Sequence, residues 1–350
     1  MQDEFDIEVN FEQNSSMTFE IGPNSVRFPK AGIKINNEGL TSTNGEQIQN
    51  TQQSITHQQI KVGDVIGQGV SSYVCRGLYL TYDCQVALKI INVFDKDKRH
   101  QMLNDLSTLL NGCECEQLIK FYGAYYEEGT IRLVLEYMDQ GSLRSIIQQI
   151  YKNNLVELMN EQIIATITYN ILMGLQYLHQ QKHQLHRDIK PENILINSLG
   201  QIKVTDFGIS KQLENTIAIA RTFVGTLMYM SPERTEGKNY SYASDIWSLG
   251  LIIYEMATGK HPYSVQNKQM TYIQMIQNIL KSESPRLDSY PYSVEMKDFV
   301  NICLNKDQNK RLDASTLLQH TWIIKNAQNR EYVQRWILQK DQKLKLIQQQ

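Results

Sequence analysis

An α+β fold in two parts is predicted, a small antiparallel β lobe with one main helix followed by a larger, mostly α-helical lobe. Three observations carry it. Short β-branched runs fill residues 60 to 136, and a single helical pattern interrupts them. After Gly141 the apolar residues step by three and four instead. The 350 residues are 41% hydrophobic and 21% charged, enough for one large two-lobed unit or two ordinary domains.

Residues 1–59 are rich in Gln, Asn, Ser and Thr and poor in aromatics. They bury too little apolar surface to offset ordering entropy, so a polar, flexible region is expected there. The acidic start, Met1-Gln2-Asp3-Glu4-Phe5-Asp6, lacks the basic and apolar stretches of a signal peptide. Strands are expected over Ile60 to Ile66, Tyr73 to Leu80, Gln85 to Val93, Ile119 to Tyr125 and Ile131 to Glu136. Met102, Leu103, Leu106, Leu109 and Leu110 share one face of the lone helix among them. The lobes join near Met138 to Gly141. Beyond that, Ile164, Ile167, Ile171, Leu175 and Leu178 form a long stripe that reads as core-facing. Further helices are expected near Tyr242 to Thr258, Met270 to Leu280, Glu295 to Leu304 and Ala314 to His320. The apolar stretch from Trp247 to Ala257 contains Ser248, Gly250 and Glu255; it is too short and polar to span a bilayer, so no membrane partner is expected. The boundaries are thus 1–59, 60–323 and a helical tail over 324–350, whose Tyr332, Trp336, Ile337 and Leu338 read as packing on the larger lobe.

A net charge of −2 argues against nucleic acid as a partner. Five cysteines stand at 75, 84, 113, 115 and 303, and Cys113 and Cys115 have no second pair to complete a zinc site. A reducing, cytoplasmic compartment is expected, with nuclear entry left open.

The chemistry concentrates in Leu185-His186-Arg187-Asp188-Ile189-Lys190-Pro191-Glu192-Asn193 and in Asp206-Phe207-Gly208. An acid, a lysine, an amide and a second acid on two loops suit phosphoryl transfer. Asp188 would orient a substrate hydroxyl and take its proton, and Lys190 would neutralise charge on the γ-phosphate. Asn193 and Asp206 would hold Mg2+. Arg187 is placed to meet a phosphate on the segment after Asp206, whereas His186 and Phe207 read as packing residues. Upstream, Ile66 opens the turn Gly67-Gln68-Gly69-Val70-Ser71-Ser72-Tyr73-Val74, whose glycines let backbone amides approach the phosphates of ATP. A common third glycine is Ser72 here. Lys89, in the apolar run Val86-Ala87-Leu88-Lys89, needs its charge paired, by phosphates and an acid on the nearby helix. The best-registered acid is Asp105, with Glu114 and Glu116 as alternatives beyond the helix. Val74, Ala87 and Leu195 would sandwich adenine, and the backbone from Glu136 to Met138 would read its edge. Glu233 of Ser231-Pro232-Glu233 has a natural ion-pair partner in Arg311.

These motifs, in this order, resemble the eukaryotic protein kinase family over roughly residues 60 to 323. Thr222-Phe223-Val224-Gly225-Thr226-Leu227-Met228-Tyr229-Met230-Ser231-Pro232-Glu233-Arg234 is similar to the mitogen-activated protein kinase kinases. So are Phe121-Tyr122-Gly123-Ala124, Met138-Asp139-Gln140-Gly141-Ser142-Leu143 and Ser244-Asp245-Ile246-Trp247-Ser248-Leu249-Gly250-Leu251. The resemblance implies a two-lobed protein kinase fold, ATP and Mg2+ as cofactors, and phosphorylation of a threonine and a tyrosine in a downstream mitogen-activated protein kinase. It also implies activation by an upstream kinase at two sites. Thr222 matches the second; Ala218 stands where the animal spacing puts the first, and Thr216 matches the wider plant spacing while reading equally as an ordinary loop hydroxyl. Glu192 departs from the small residue usual in the family; in other kinases Glu there often receives a basic substrate residue. Arg27, Lys30, Ile33 and Ile35 could form a docking peptide or a strand lying on the small lobe. A Ser/Thr kinase of another cascade tier, or a pseudokinase scaffold, are the competing readings.

Overall fold

The computed structural model describes residues 20–22, 24–29, 32–42, 55–68, 72–94, 115–206, 227–264 and 271–349. Gly69, Asp105, Thr216, Thr222 and the helix expected around Met102 to Leu110 lie outside them. The chain divides into two units: one holds residues up to Glu114 plus Ile119–Tyr137, the other Cys115–Leu118 and Met138–Gln350.

The first unit opens with an antiparallel meander, β1 (Glu20–Gly22), β2 (Ser25–Phe28), β3 (Ile33–Asn36) and β4 (Gly39–Ser42), paired in that order. This corrects the expectation of a flexible region over the whole of residues 1–59. Composition averaged over the stretch conceals a local period of two, in which Val26, Phe28, Ile33 and Ile35 are buried. Gly39, at φ 118°, opens β4 with a backbone conformation that side-chain-bearing residues rarely adopt. Ile33 and Ile35 alternate because they belong to β3, which matches the reading of a strand lying on the small lobe; Lys30 lies outside the described residues.

A five-stranded antiparallel sheet follows, in the order β5-β6-β7-β9-β8. Its strands are β5 (Ile60–Gln68), β6 (Ser72–Tyr79), β7 (Cys84–Asn92), β8 (Phe121–Glu127) and β9 (Thr130–Glu136), close to the runs expected. One face packs Cys75, Tyr79, Val86, Leu88, Ile90 and Val134 with Ile55 and Tyr125. The meander joins this unit by laying β3 and β4 on β8.

The second unit begins with β10 (Gly141–Ser142), which pairs with β11 (Ile194–Ile196); β11 in turn pairs with β12 (Ile202–Val204). Its helices are α1 (Leu143–Lys152), α2 (Glu161–Gln176), α3 (Pro232–Thr235), α4 (Ala243–Thr258), α5 (Tyr272–Lys281), α6 (Val294–Cys303), α7 (Ala314–Leu318), α8 (Thr321–Asn326) and α9 (Arg330–Gln348). Side-chain caps start several of them: Ser142, Asn160, Ser293 and Asn329 each accept the amide three residues on. The predicted stripe, which runs along α2 and one turn past it to Leu178, is buried throughout, and Gly174 lets α2 approach Leu118 and Val204. α4 is buried along most of its length, and at Gly250 a β-carbon would sit 2.8 Å from that of Cys303 in α6. The tail helix α9 packs as expected: Val333, Trp336 and Ile337 are buried, and the Trp336 indole donates to the Leu158 carbonyl at 2.7 Å. Leu338 faces solvent.

Because Ile35 is fully buried, Ile35→Ala should cost about 2–5 kcal/mol, read as a lower denaturation midpoint. A change under about 0.5 kcal/mol would mean that the meander is not packed as described.

Candidate active site

The sheet of the first unit carries the upstream candidates. Residues paired across antiparallel strands point to one face. Val74 pairs with Gly67 and Lys89, and Lys89 with Leu133; Ala87 pairs with Arg76 and Leu135. Val74, Ala87 and Lys89 therefore share the face opposite the Leu88 and Val134 core. Ile66 is solvent-exposed and Lys89 buried. Glu136 closes β9; its amide donates to the Lys120 carbonyl at 3.0 Å, and its side chain accepts from the Lys120 amide at 3.2 Å. These pairings place Val74, Ala87 and Lys89, three of the residues expected to meet a nucleotide, on one face of the sheet.

The second unit carries Asp188, Lys190, Asn193, Leu195 and Asp206, with Met138 at its start. Lys190 Nζ lies 2.8 Å from Asp188 Oδ2. Asn193 Nδ2 donates to both the backbone oxygen and Oδ2 of Asp188, at 2.8 and 3.0 Å. That use of the amide nitrogen leaves Oδ1 as the atom suited to a cation. Leu195 lies on β11, paired with Ser142 and Lys203. Asp206 sits just past β12 in left-handed backbone at φ 60°. Two bonds tie its strand to the loop: the Thr205 amide donates to Asn193 O at 2.9 Å, and His186 Nε2 lies 3.0 Å from Thr205 O.

A residue given no role from sequence anchors this loop. Asp245, 1% exposed, accepts the His186 and Arg187 amides at 2.9 and 2.8 Å and His179 Nε2 at 2.8 Å. Burial alone would raise its pKa; the His179 bond, the His179 and His186 rings and the amides reverse this and hold it below the ordinary aspartate range. His186 goes the other way, pushed down by burial, with Asp245 and Asp188 opposing. Its neutral tautomer follows from its bonds: Nδ1 accepts the Asp188 amide at 3.3 Å, so Nε2 carries the hydrogen that faces Thr205. The packing role expected of His186 therefore includes polar contacts on both sides.

Arg187, at φ 69°, is clamped along its length. Its amide meets Asp245, its carbonyl accepts Arg234 Nη1 at 2.7 Å, and its guanidinium lies 5.6 Å from the Tyr240 ring centroid. The expected Glu233–Arg311 pair is present and bidentate, at 2.7 and 2.8 Å. The remaining Arg311 donors reach the carbonyls of Asn305, Ala243 and Lys306. Burial disfavours the Glu233 charge, but the Arg311 bonds and charge outweigh it and lower its pKa. Arg311→Met should cost about 3–5 kcal/mol by stranding Glu233, whereas Arg311→Met with Glu233→Met should recover much of that. Additive losses in denaturant melts would refute the coupling.

A second polar cluster was not foreseen. Arg144 of α1 donates Nε to Glu192 at 2.8 Å, Nη1 to Glu255 and Nη2 to the Tyr229 hydroxyl, which itself donates to Glu255. His261 packs edge-on to Tyr229 at 5.0 Å, and its Nδ1 accepts the Tyr263 amide at 3.3 Å. Burial, then the Arg144 charge, push the His261 imidazole from 6.5 down to about 3. The unfolded chain takes up a proton near pH 6.5 that the folded chain refuses until about pH 3, so stability falls as pH drops through that window. His261→Asn should lessen the fall in melting temperature between pH 7 and pH 5 (about two units of acidification). An unchanged slope would remove His261 from the account.

Local pattern could have flagged Asp245 as an acid in the first turn of an apolar helix, but not the amides it meets. Nothing local marks Arg144. Among the described residues no group of three or more His, Cys, Asp and Glu is arranged to hold a metal, and no helix is long and apolar enough to cross a membrane.

The protein kinase domain model matches residues 60–323. The chain is 40% identical over 287 residues to mitogen-activated protein kinase kinase 3 of Arabidopsis thaliana, covering 81% of this chain and 53% of that protein. It is 39% identical over 265 residues to mitogen-activated protein kinase kinase 2 of the same plant, covering 75% and 71%. Against the dual specificity mitogen-activated protein kinase kinase dSOR1 of Drosophila melanogaster it is 36% identical over 300 residues, covering 79% and 73%. The chain thus spans about half the length of the first of these relatives.

Proposed function

This chain belongs to the protein kinase family and, within it, to the mitogen-activated protein kinase kinases, and we propose that it moves the γ-phosphoryl group of ATP to a threonine and a tyrosine in the activation loop of a downstream mitogen-activated protein kinase. The Asp188–Lys190–Asn193 arrangement supports the chemistry. The names of the relatives support the substrate class.

Asp188 orients the incoming hydroxyl and accepts its proton, held in place by both bonds from Asn193. Lys190, against the same carboxylate, offsets negative charge as the phosphoryl group moves. Asn193 Oδ1 and the Asp206 carboxylate are oxygen donors of the type Mg2+ takes and would hold it. When bound, ATP would supply the transferred group and Mg2+ would screen its charge. Lys89 pairs with the nucleotide phosphates, with Asp105 as the acid that orients it. Ile66, Gly67, Gly69, Val74, Ala87 and Glu136, and separately Met138 and Leu195, are the residues proposed to contact the nucleotide. An upstream kinase switches the chain on at Thr222 and Thr216, where a phosphate meets Arg187. The cytoplasm is the compartment proposed.

Incubating the activated chain with ATP, Mg2+ and a catalytically dead kinase carrying Thr-x-Tyr should yield both phosphothreonine and phosphotyrosine. Asp188→Asn should lower kcat by about 10²–10⁴-fold. Phosphothreonine without phosphotyrosine would place the chain in another tier of the cascade, and unchanged turnover in Asp188→Asn would overturn the assignment of the base.

A further inference from the structure

The Arg144 cluster takes no part in the phosphoryl transfer described above, yet it stands beside it. Glu192 lies on the loop of Asp188, with its side chain 45% exposed. Glu255 is 5% exposed, on α4. Both carboxylates and the Tyr229 hydroxyl converge on one guanidinium, which reaches them from α1. A carboxylate as buried as Glu255 is costly unless a cation and hydrogen bonds meet it. A planar guanidinium bridges two acids and a hydroxyl at once, which a compact ammonium on a flexible stem does poorly. The acids and the hydroxyl therefore form a subsite fitted to one arginine side chain. Glu192 comes from the catalytic loop and Tyr229 from the segment leading to Ser231-Pro232-Glu233, so an arginine on a bound substrate could compete for it.

We propose that Arg144 is a specificity-determining residue: it fills, from within the chain, the acidic subsite of Glu192, Glu255 and Tyr229, and so frees this kinase from any requirement for an arginine beside the phosphoacceptor. The inference rests on the kinase reading. The formal sum of two carboxylates and one guanidinium is negative, so removing Arg144 leaves a subsite that attracts a cation. An arginine-bearing substrate is then the natural replacement.

The test uses the full chain and a catalytically dead kinase carrying Thr-x-Tyr, in which each residue flanking the motif is replaced in turn by arginine. Wild type should show kcat/KM within about twofold of the parent substrate at every position, since its subsite is filled. Arg144→Met, which keeps the aliphatic stem, should favour arginine by about tenfold at one flanking position. Adding Glu192→Gln to that variant should abolish the gain. A folded Arg144→Met chain with the wild-type profile overturns the proposal. So does a wild-type preference for arginine that Glu192→Gln removes, because Glu192 would then face the substrate directly. Should Arg144→Met fail to fold, Glu192→Gln alone decides: an unchanged profile is expected, and a loss of arginine use counts against it. Autophosphorylation is followed in the same reactions. Its absence from wild type, with no transfer to any substrate, sinks the kinase reading; transfer with an unaltered profile sinks only the role of Arg144.

Discussion

The buried carboxylate of Asp245 is the point on which the catalytic loop depends. It neutralises no group that reacts. It accepts two consecutive backbone amides, from His186 and Arg187, and so dictates the path of the chain just before Asp188. Taking an aspartate this far from water is costly, and the cost is offset only because its oxygens meet three donors. An amide in its place would keep the shape but bring hydrogens where the loop already supplies them. The geometry at Asp188 is set from a helix whose sequence otherwise reads as core.

That helix, α4, organises more than one loop. Its polar residues line up on an otherwise apolar rod. Ser244 donates to Glu233, Ser248 donates to the Tyr229 carbonyl, and Glu255 takes Arg144 and the Tyr229 hydroxyl. Ser248 follows Ser244 by one turn and Glu255 follows Ser248 by two, so these groups project along one side. The catalytic loop, the segment around Tyr229 and Glu233, and α1 are all tied to this single rigid element. Gly250 lets α6 support it closely from Cys303 and Leu304.

Much of this could be read from the amino acids, and what could not has a common cause. Period-two and period-3.6 patterns reproduced the five strands of the kinase sheet and helices α2, α4, α5, α6 and α7 to within a few residues, because each carries its apolar residues within a short local span, even where, as in β5, few of them are buried. Asp188, Lys190 and Asn193 meet because they share one loop. The meander at residues 20–42 is anticipated only as one strand around Arg27 to Ile35, since its few buried residues are diluted by polar neighbours. Asp245 and Arg144 were missed for another reason: their partners come from loops and helices far along the chain, and no spacing rule encodes such meetings. The Glu233–Arg311 pair is as distant but was anticipated, because both residues stand inside recognisable motifs.

Two residues at the centre of the site hold left-handed backbone without being glycine: Arg187 at φ 69° and Asp206 at φ 60°. Such conformations cost about 1–3 kcal/mol each and persist only where surrounding bonds over-determine them. Arg187 meets that condition at both ends, through Asp245 at its amide and Arg234 at its carbonyl. Asp206 follows Thr205, whose amide and carbonyl are both engaged, by Asn193 and His186. His186 thereby joins the two strained places, since its amide meets Asp245 and its ring meets Thr205. A protonated His186 would carry a hydrogen on Nδ1 against the Asp188 amide, so the link requires the neutral ring that burial enforces. The residue expected only to pack is the one that ties the loop of Asp188 to the strand end that carries Asp206.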